Sequence, residues 1–138
     1  MSLKDKFRIL ELNEYGDERG NLVVAEGEGK DIPFRIKRVF YMYGSDATTI
    51  RGQHANLHTE FVLINVAGTS KVRITDGTEE VIVELNRPRM GLYIPNMLWK
   101  DMYDFSADSV LLVMASEHFD ETEYVRDFEK YMDIMKGI

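Results

Sequence analysis

The sequence predicts an all-β domain, an antiparallel sandwich or barrel of about ten strands that is followed by one C-terminal helix. Three features of the 138-residue chain support this class. Turn-forming residues such as Asp76-Gly77 and Asn86-Arg87-Pro88 recur at short intervals, and the segments between them have the length of strands. Two of those segments are apolar on both parities, and one stripe of apolar residues at helical spacing lies near the C-terminus.

Two patterns predict the individual strands. Residues 71–74 and 81–85 alternate polar and apolar side chains around Asp76-Gly77-Thr78, as in a hairpin with one buried face. Residues 61–66 and 110–114 carry apolar side chains on both faces of the strand, which indicates strands that lie between two layers.

At the N-terminal edge, residues 7–12 would leave backbone groups unpaired in a monomer, so we expect a homodimer that pairs this strand across a two-fold axis.

The C-terminal helix is predicted over about residues 121–136. Its apolar stripe consists of Tyr124, Val125, Phe128, Tyr131, Met132 and Met135. Asp120 is the expected N-cap, and Glu123 completes a capping box three residues later. The predicted helix lies across one mouth or one side of the barrel, and residues 1–138 form one domain with strands over about 7–116.

Composition excludes several function classes. The balance of 17 Lys and Arg against 24 Asp and Glu gives a formal charge of −7, which opposes binding to nucleic acid or to an anionic membrane surface. An anionic ligand would therefore need a local basic cluster. The chain has no Cys, which excludes disulfides, thiolate zinc sites and a cysteine nucleophile. No apolar run is long enough for a membrane span, and we expect a soluble cytoplasmic protein.

Histidines are the first candidates for chemistry, and two of the three lie in the segment from His54 to Glu60. On one extended strand His54 and Glu60 would be about 20 Å apart, too far to meet. A turn near Leu57-His58 instead places His54 and Asn56 on one strand and Glu60 at the start of the next. His58 then lies in the connection and is exposed.

A catalytic metal is not expected. Barrels of this type often bind metal through a His-x-His pair, a later Glu and a distant His. Here Asn56 and Lys100 stand at two of those positions, and an amide is a poor ligand while an ammonium cannot be one. The prediction is a pocket that works without cofactor.

Proton transfer is the remaining chemistry, with His54 as the candidate general acid and base. The alternative is a histidine that is only hydrogen-bonded within a polar strand. Tyr41 could donate a hydrogen bond to a developing oxyanion, or could be an ordinary aromatic residue of a barrel strand. Arg51 and Arg19 are candidate phosphate contacts, or exposed arginines with no such role.

Several short motifs together carry a family resemblance. They are Asp17-Glu18-Arg19-Gly20-Asn21-Leu22, the stretch from Ile32 to Tyr41, Arg51-Gly52-Gln53-His54-Ala55, Gly91-Leu92-Tyr93-Ile94-Pro95, Trp99, Asp104-Phe105-Ser106 and the stretch from Ala115 to Tyr124. In order and spacing the chain resembles the nucleotide-sugar 3,4-ketoisomerases, small cupin-like proteins that act on dTDP-4-oxo-6-deoxyglucose. The resemblance implies a metal-free jelly-roll β-barrel, a homodimer, a dTDP-linked sugar in each barrel mouth and a role in deoxysugar and surface polysaccharide biosynthesis.

The resemblance also assigns site residues. Family chemistry removes the C3 proton beside the C4 ketone and delivers it to C4 through an enediol, using two histidines separated by an alanine. His54 matches the first histidine, whereas Asn56 stands at the second. Tyr41 is the counterpart of a pocket tyrosine, and Arg51 and Arg19 are expected at the pyrophosphate. Further expected substrate contacts are Gln53, Asn56, Tyr93, Trp99 and Lys100.

Two further positions depart from the family pattern. Phe61 stands where Gln is common, and Lys100 stands where His commonly follows Trp99. The leading hypothesis is an isomerase in which His54 carries the proton, while Tyr41, Asn56 and Lys100 polarise the substrate. The alternatives are a non-catalytic nucleotide-sugar binding module and an epimerase acting at C3 or C5.

Overall fold

The computed structural model describes residues 2–137 and consists of two facing antiparallel sheets. Its twelve strands are β1 Arg8–Glu11, β2 Asn13–Asp17, β3 Gly20–Val24, β4 Arg38–Tyr43, β5 Arg51–Asn56, β6 Phe61–Ala67, β7 Ser70–Thr75, β8 Glu80–Leu85, β9 Met90–Ile94, β10 Trp99–Tyr103, β11 Val110–Ala115 and β12 Tyr124–Val125. One helix, α1, spans Phe128–Met135, and 3-10 turns span Leu3–Asp5 and Glu121–Glu123. The predicted all-β jelly-roll class is confirmed.

Strand order defines the two layers. The first sheet runs β1-β9-β6-β11-β4 and the second runs β12-β5-β10-β7-β8, while β2 and β3 form a separate hairpin. The main core lies between the sheets, where Leu63 and Val113 of the first layer meet Val72 and Ile74 of the second. The two layers remain open sheets, so the barrel is a flattened sandwich whose interior is filled by side chains.

Strand β6 is buried on both faces, as its sequence predicts. Phe61 and Leu63 point into the main core, whereas Val62 and Ile64 belong to a second cluster on the outer side of the same sheet. The segment between β3 and β4 covers that outer side with side chains such as Ile32. The predicted hairpin is also confirmed, because β7 and β8 pair from Ser70↔Leu85 to Thr75↔Glu80.

The predicted helix over 121–136 is wrong over its first seven residues, because α1 begins only at Phe128. Tyr124 and Val125 pair as β12 with Asn56 and Ala55 of β5, so this segment is extended. Asp120 caps only the short 3-10 turn by accepting a hydrogen bond from the Thr122 amide. The cap of α1 is Asp127, whose carboxylate accepts from the Glu129 and Lys130 amides.

Helix α1 packs on the side of the second sheet. Tyr131 is fully buried against Trp99, with the two ring centroids 5.6 Å apart. The Tyr131 hydroxyl donates to the carbonyl oxygens of Thr75 and Met97. The helix therefore leaves the end of the sandwich near His54 open. No helix in residues 2–137 is both long and apolar enough to cross a membrane.

Candidate active site

A β-bulge in β5 positions the candidate site. Lys100 of β10 pairs with His54, and the next residue, Asp101, pairs with Gly52, so Gln53 is an extra residue on β5. Gly52 and Gln53 both adopt positive φ, at 81° and 54°. This geometry places an unpaired residue between two paired ones and turns the strand. As a result, Arg51 and His54 face the same cavity although three positions separate them in sequence.

The cavity lies between the sheets and has a volume of about 270 Å³. Its apolar lining includes Phe40, Leu63, Met102 and Val113. Its polar lining consists of Arg38, Arg51, His54, Lys100, Tyr124 and Arg126. Four of these side chains are cationic, and none of the described lining residues is acidic. In a chain with a formal charge of −7, this concentration of positive charge favours an anionic ligand.

His54 is held as a neutral imidazole. Burial, the Lys100 ammonium and the Arg126 guanidinium lower the pKa of His54 to about 4. Its ring packs 4.9 Å from the ring of Tyr124, and its buried Nδ1 has no hydrogen-bond partner among the described residues. A neutral imidazole with a free nitrogen can accept a proton from a ligand in the cavity.

Lys100 is the most deeply buried cation of the cavity, with only 3 % of its surface exposed. Burial lowers the pKa of Lys100 to about 7, and the carboxylates of Glu123 and Asp101 partly oppose this shift. Its Nζ lies 4.7 Å from the centroid of the Phe61 ring. Two of the three departures from the family pattern are therefore in direct contact.

Arg38 also lines the cavity, although no sequence pattern assigns it a role. Its Nε donates to the Glu117 carbonyl at 3.2 Å, and its Nη1 donates to the Tyr124 hydroxyl at 3.3 Å. Its buried Nη2 has no partner within the described chain, and its guanidinium lies 5.2 Å from the centroid of the Phe40 ring. A guanidinium with one unpaired buried donor is suited to an anionic oxygen of a ligand.

Tyr41 does not line the cavity of its own chain, so the structure places it elsewhere than the sequence predicts. Side chains alternate along β4, and Arg38, Phe40 and Met42 face inward. Tyr41 is 61 % exposed on the outer face, where its ring stacks with that of Tyr43 at 6.4 Å. The aromatic residue of β4 that reaches the cavity is Phe40.

Four predicted substrate contacts also lie away from the cavity. Gln53 projects to the outer face of the second sheet because of the bulge, beside Trp99. Trp99 itself packs under α1. Tyr93 donates its hydroxyl to the Glu60 carboxylate and packs in the outer cluster. Arg19 lies on the β2–β3 hairpin and pairs with Asp17 at 2.6 Å.

Asn56 and Glu123 lie behind the cavity wall. Asn56 is 1 % exposed, and neither amide atom makes a hydrogen bond of ordinary geometry, although its proximity helps to lower the pKa of Glu123. The buried Glu123 carboxylate accepts from the Thr59 hydroxyl and from the Thr59 amide at 3.2 Å. Glu123 is thus a buried acceptor rather than half of a capping box, while His58 is exposed in the connection, as predicted.

A metal centre has no obvious ligand set in this region. Within residues 2–137, no three His, Cys, Asp or Glu side chains are grouped so that they could hold an ion. The cavity instead offers one imidazole, one amine and three guanidinium groups, which suit an anion that undergoes proton transfer.

Comparison with known proteins agrees with this geometry. The model of the family described as "FdtA: WxcM-like, C-terminal" matches residues 5–136. This chain belongs to the FdtA family. The FdtA-family chain is 38 % identical over 124 residues to TDP-4-oxo-6-deoxy-α-D-glucose-3,4-oxoisomerase of Aneurinibacillus thermoaerophilus, covering 90 % of this chain and 88 % of that protein. The predicted resemblance is confirmed.

Solved structures of FdtA-family relatives share the whole fold. A mutant of the 3,4-ketoisomerase QdtA from Thermoanaerobacterium thermosaccharolyticum, in complex with TDP-4-keto-6-deoxyglucose, aligns with a TM-score of 0.92 and 40 % identity over 96 % of this chain and 95 % of that one. WlaRA, a TDP-fucose-3,4-ketoisomerase from Campylobacter jejuni, aligns with a TM-score of 0.89 and 37 % identity over 96 % and 97 % of the two chains.

Proposed function

We propose that this FdtA-family chain is an isomerase that converts a dTDP-linked 4-oxo-6-deoxy sugar into its 3-oxo isomer. The observation that carries the proposal is the cavity itself, in which a neutral His54 and a buried Lys100 lie beside three arginines and no acid. The relatives named above act on TDP-linked sugars by this reaction. Sequence identity near 40 % over almost the whole chain supports the same substrate class here.

The substrate would lie with its pyrophosphate at the guanidinium groups and its sugar toward the interior. Arg38, Arg51 and Arg126 offer planar donors that match phosphate oxygens. Lys100 and His54 lie deeper, next to each other across β10 and β5. Arg19 and Tyr41 are not assigned to the site of their own chain, because neither lines its cavity.

The chemistry uses His54 as the base at C3. Its neutral imidazole takes the C3 proton, the C–H electron pair forms the C3=C4 double bond, and the C4 carbonyl pair moves to O4. The Lys100 ammonium stabilises the negative charge on that oxygen. His54 then returns its proton to C4, because both carbons lie within reach of one imidazole. In the same step the O3–H bond breaks, its electron pair forms the C3 carbonyl, and the released proton passes to O4, which becomes a hydroxyl. Asn56 has no direct contact with the sugar in this scheme, since it lies behind the wall.

Proton exchange tests this function. The enzyme is incubated in deuterated water with dTDP-4-oxo-6-deoxyglucose, and the C3 position is followed by NMR. Deuterium should enter the sugar with the wild-type chain and not with His54→Asn. The matched control is His58→Asn, since His58 is exposed and outside the cavity. No uptake by the wild type would exclude the reaction on this substrate.

One observation favours a second candidate, a non-catalytic binding module. Asn56 stands where the family pattern has a second histidine, and it cannot carry a proton. Calorimetric titration separates the two functions. Tight binding of dTDP-sugars with zero turnover over a panel of 4-oxo sugars supports the module, whereas turnover of any one sugar supports the enzyme.

The proposal includes a homodimer, a cytoplasmic location and a role in supplying deoxysugars for surface polysaccharides. β1 is an edge strand of the first sheet, and the separate β2–β3 hairpin exposes Tyr15 and Leu22 at 62 % and 58 %. Pairing of this N-terminal region with a second copy would cover both features. A sedimentation mass of one chain at micromolar concentration would contradict the dimer.

A further inference from the structure

We propose that Lys100 is the second proton-transfer group of this site, moving the hydroxyl proton from O3 to O4 while His54 moves the carbon-bound proton from C3 to C4. The inference rests on the proposed function and assigns Lys100 a role beyond charge stabilisation.

The reaction itself requires a second group. After His54 has taken the C3 proton it is an imidazolium, and it must keep that proton for C4. The C4 oxygen nevertheless gains a proton as the ketone becomes a hydroxyl, and the O3 hydroxyl loses one. A group other than His54 therefore has to give one proton and take one back within the same cavity.

Geometry places Lys100 at the required position. Lys100 and His54 are directly paired across β10 and β5, so their side chains lie on the same face of the sheet, and both line the cavity. C3 and C4 are adjacent atoms, so the two proton carriers must also be neighbours. Lys100 is only 3 % exposed, so its amine is shielded from bulk solvent.

The charges around Lys100 suit an amine that changes protonation near neutral pH. On β5 it faces His54 and Arg51, from β4 it faces Arg38, and Glu123 and Arg126 lie on either side of β12. Asp101 is its neighbour on β10. Burial is the largest influence and lowers the pKa of Lys100 to about 7, while Glu123 and Asp101 prevent a larger shift. General acids and bases work best when their pKa is near the working pH.

The proton balance closes. As His54 takes the C3 proton, the Lys100 ammonium donates a proton to O4, which gives a neutral enediol and a neutral amine. The amine then removes the O3 proton, and the O3 electron pair forms the C3 carbonyl. The C3=C4 pair takes the proton from His54 at C4. Both side chains return to their starting states, and no oxidant, reductant or further reactant is needed.

Lys100→Arg is the decisive variant, because Arg keeps the positive charge but cannot lose a proton in this pH range. If Lys100 carries a proton, turnover should fall by about 10²–10⁴-fold, while calorimetry shows dTDP affinity within about threefold of the wild type. The limb of the pH–rate profile near pH 7 should disappear. In Lys100→Ala, added methylamine should restore part of the rate, which a purely structural role would not produce.

Several outcomes would overturn the inference. They are wild-type turnover in Lys100→Arg, an unchanged pH profile, or failure of methylamine to raise the rate in a folded Lys100→Ala protein. If instead the limb of the pH–rate profile near pH 7 disappears in Tyr124→Phe, the transfer of the proton from O3 to O4 would be assigned to the Tyr124 hydroxyl. Tyr124 also lines the cavity. Deuterium exchange at C3 is measured on the wild type in a separate experiment. If the wild type shows no exchange, the proposed isomerisation fails, whereas exchange in the wild type together with one of the outcomes above overturns only the role of Lys100.

Discussion

The Lys100 ammonium lies 4.7 Å from the centre of the Phe61 ring, so two residues that depart from the family pattern form one contact in the cavity. A cation above an aromatic face is stabilised by the ring quadrupole without a proton acceptor. Phe61 thus supports the charged form of Lys100 and leaves its N–H groups free for a ligand.

Lys100→Met should make the protein more stable and less active. Burial lowers the pKa of Lys100 from 10.5 to about 7, so at neutral pH the buried amine costs folding free energy, on the order of a few kcal/mol, that the apolar Met side chain does not. Urea unfolding at neutral pH measures the change. Lys4→Met is the control, since Lys4 is exposed and the change should stay within about 0.5 kcal/mol. A destabilised Lys100→Met protein would contradict the burial argument.

Gly52→Ala should abolish activity and lower stability. Gly52 has a φ of 81°, and a Cβ there would lie 2.8 Å from Met102 Cε and 3.1 Å from the Lys100 carbonyl oxygen. The substitution therefore disturbs the strand that carries Lys100. Gly44→Ala is the matched control, because Gly44 has a φ of 76° with open space around its Cβ position. It should show only the backbone cost of about 1–2 kcal/mol and keep turnover. Equal losses in the two variants would exclude a specific role for the bulge.

Stability should fall as the pH drops from about 6.5 to about 4. The pKa of His54 is lowered from 6.5 to about 4 in the folded protein, so the unfolded chain binds more protons over this range. The loss attributable to His54 is roughly 3 kcal/mol once the pH is below both values. Urea unfolding of wild type and His54→Asn over this range measures it, since the variant should lose that part of the slope.

Arg38→Gln should weaken dTDP binding by about 10–100-fold, the equivalent of one or two charge-assisted hydrogen bonds. The reason is the buried Nη2, which has no partner in the described chain and faces the ligand cavity. Calorimetry with dTDP alone measures the effect without turnover. Arg35→Gln, at a 78 % exposed arginine, should bind normally. Unchanged affinity in Arg38→Gln would remove Arg38 from the anion site.

Tyr41→Phe should leave turnover within about twofold of the wild type, since its hydroxyl lies outside the cavity and contributes no transition-state contact. Initial rates with dTDP-4-oxo-6-deoxyglucose measure this. A large loss in Tyr41→Phe would show that the outer face of β4 takes part in the reaction. The loss would then have to be explained by contact with a second copy of the chain.

The sequence alone predicts the layers well because hydrophobic patterning is a local property. Alternation in β7 and β8 and double burial of β6 could both be recognised from the order of residues. The start of α1 could not, because the chain at Tyr124 is held extended by β5, which is distant in sequence. The capping box at Asp120 and the apolar residues at helical spacing express only a local preference for helix. Pairing of Tyr124 and Val125 with β5 outweighs that preference.

The candidate site was harder to predict than the fold. The sequence and its family resemblance identify His54, Arg51 and Lys100, but on β4 they favour Tyr41 over the inward-facing Arg38 and Phe40. Parity along β4 decides between them, and a residue list does not reveal which parity faces inward. Phe40 and Met42 share the alternation of Arg38, but Val39, Tyr41 and Tyr43 make the other face of β4 equally apolar, so neither face stands out in the sequence.

The bulge at Gln53 has a consequence for transplanting or redesigning this chemistry. A regular strand would place Arg51 and His54 on opposite faces, so grafting the side chains alone onto a flat sheet would separate the anion contact from the base. The transferable unit is the irregular backbone of four residues from Arg51 to His54. A single-residue deletion there should restore an unbroken ladder and dismantle the site while leaving the sandwich intact.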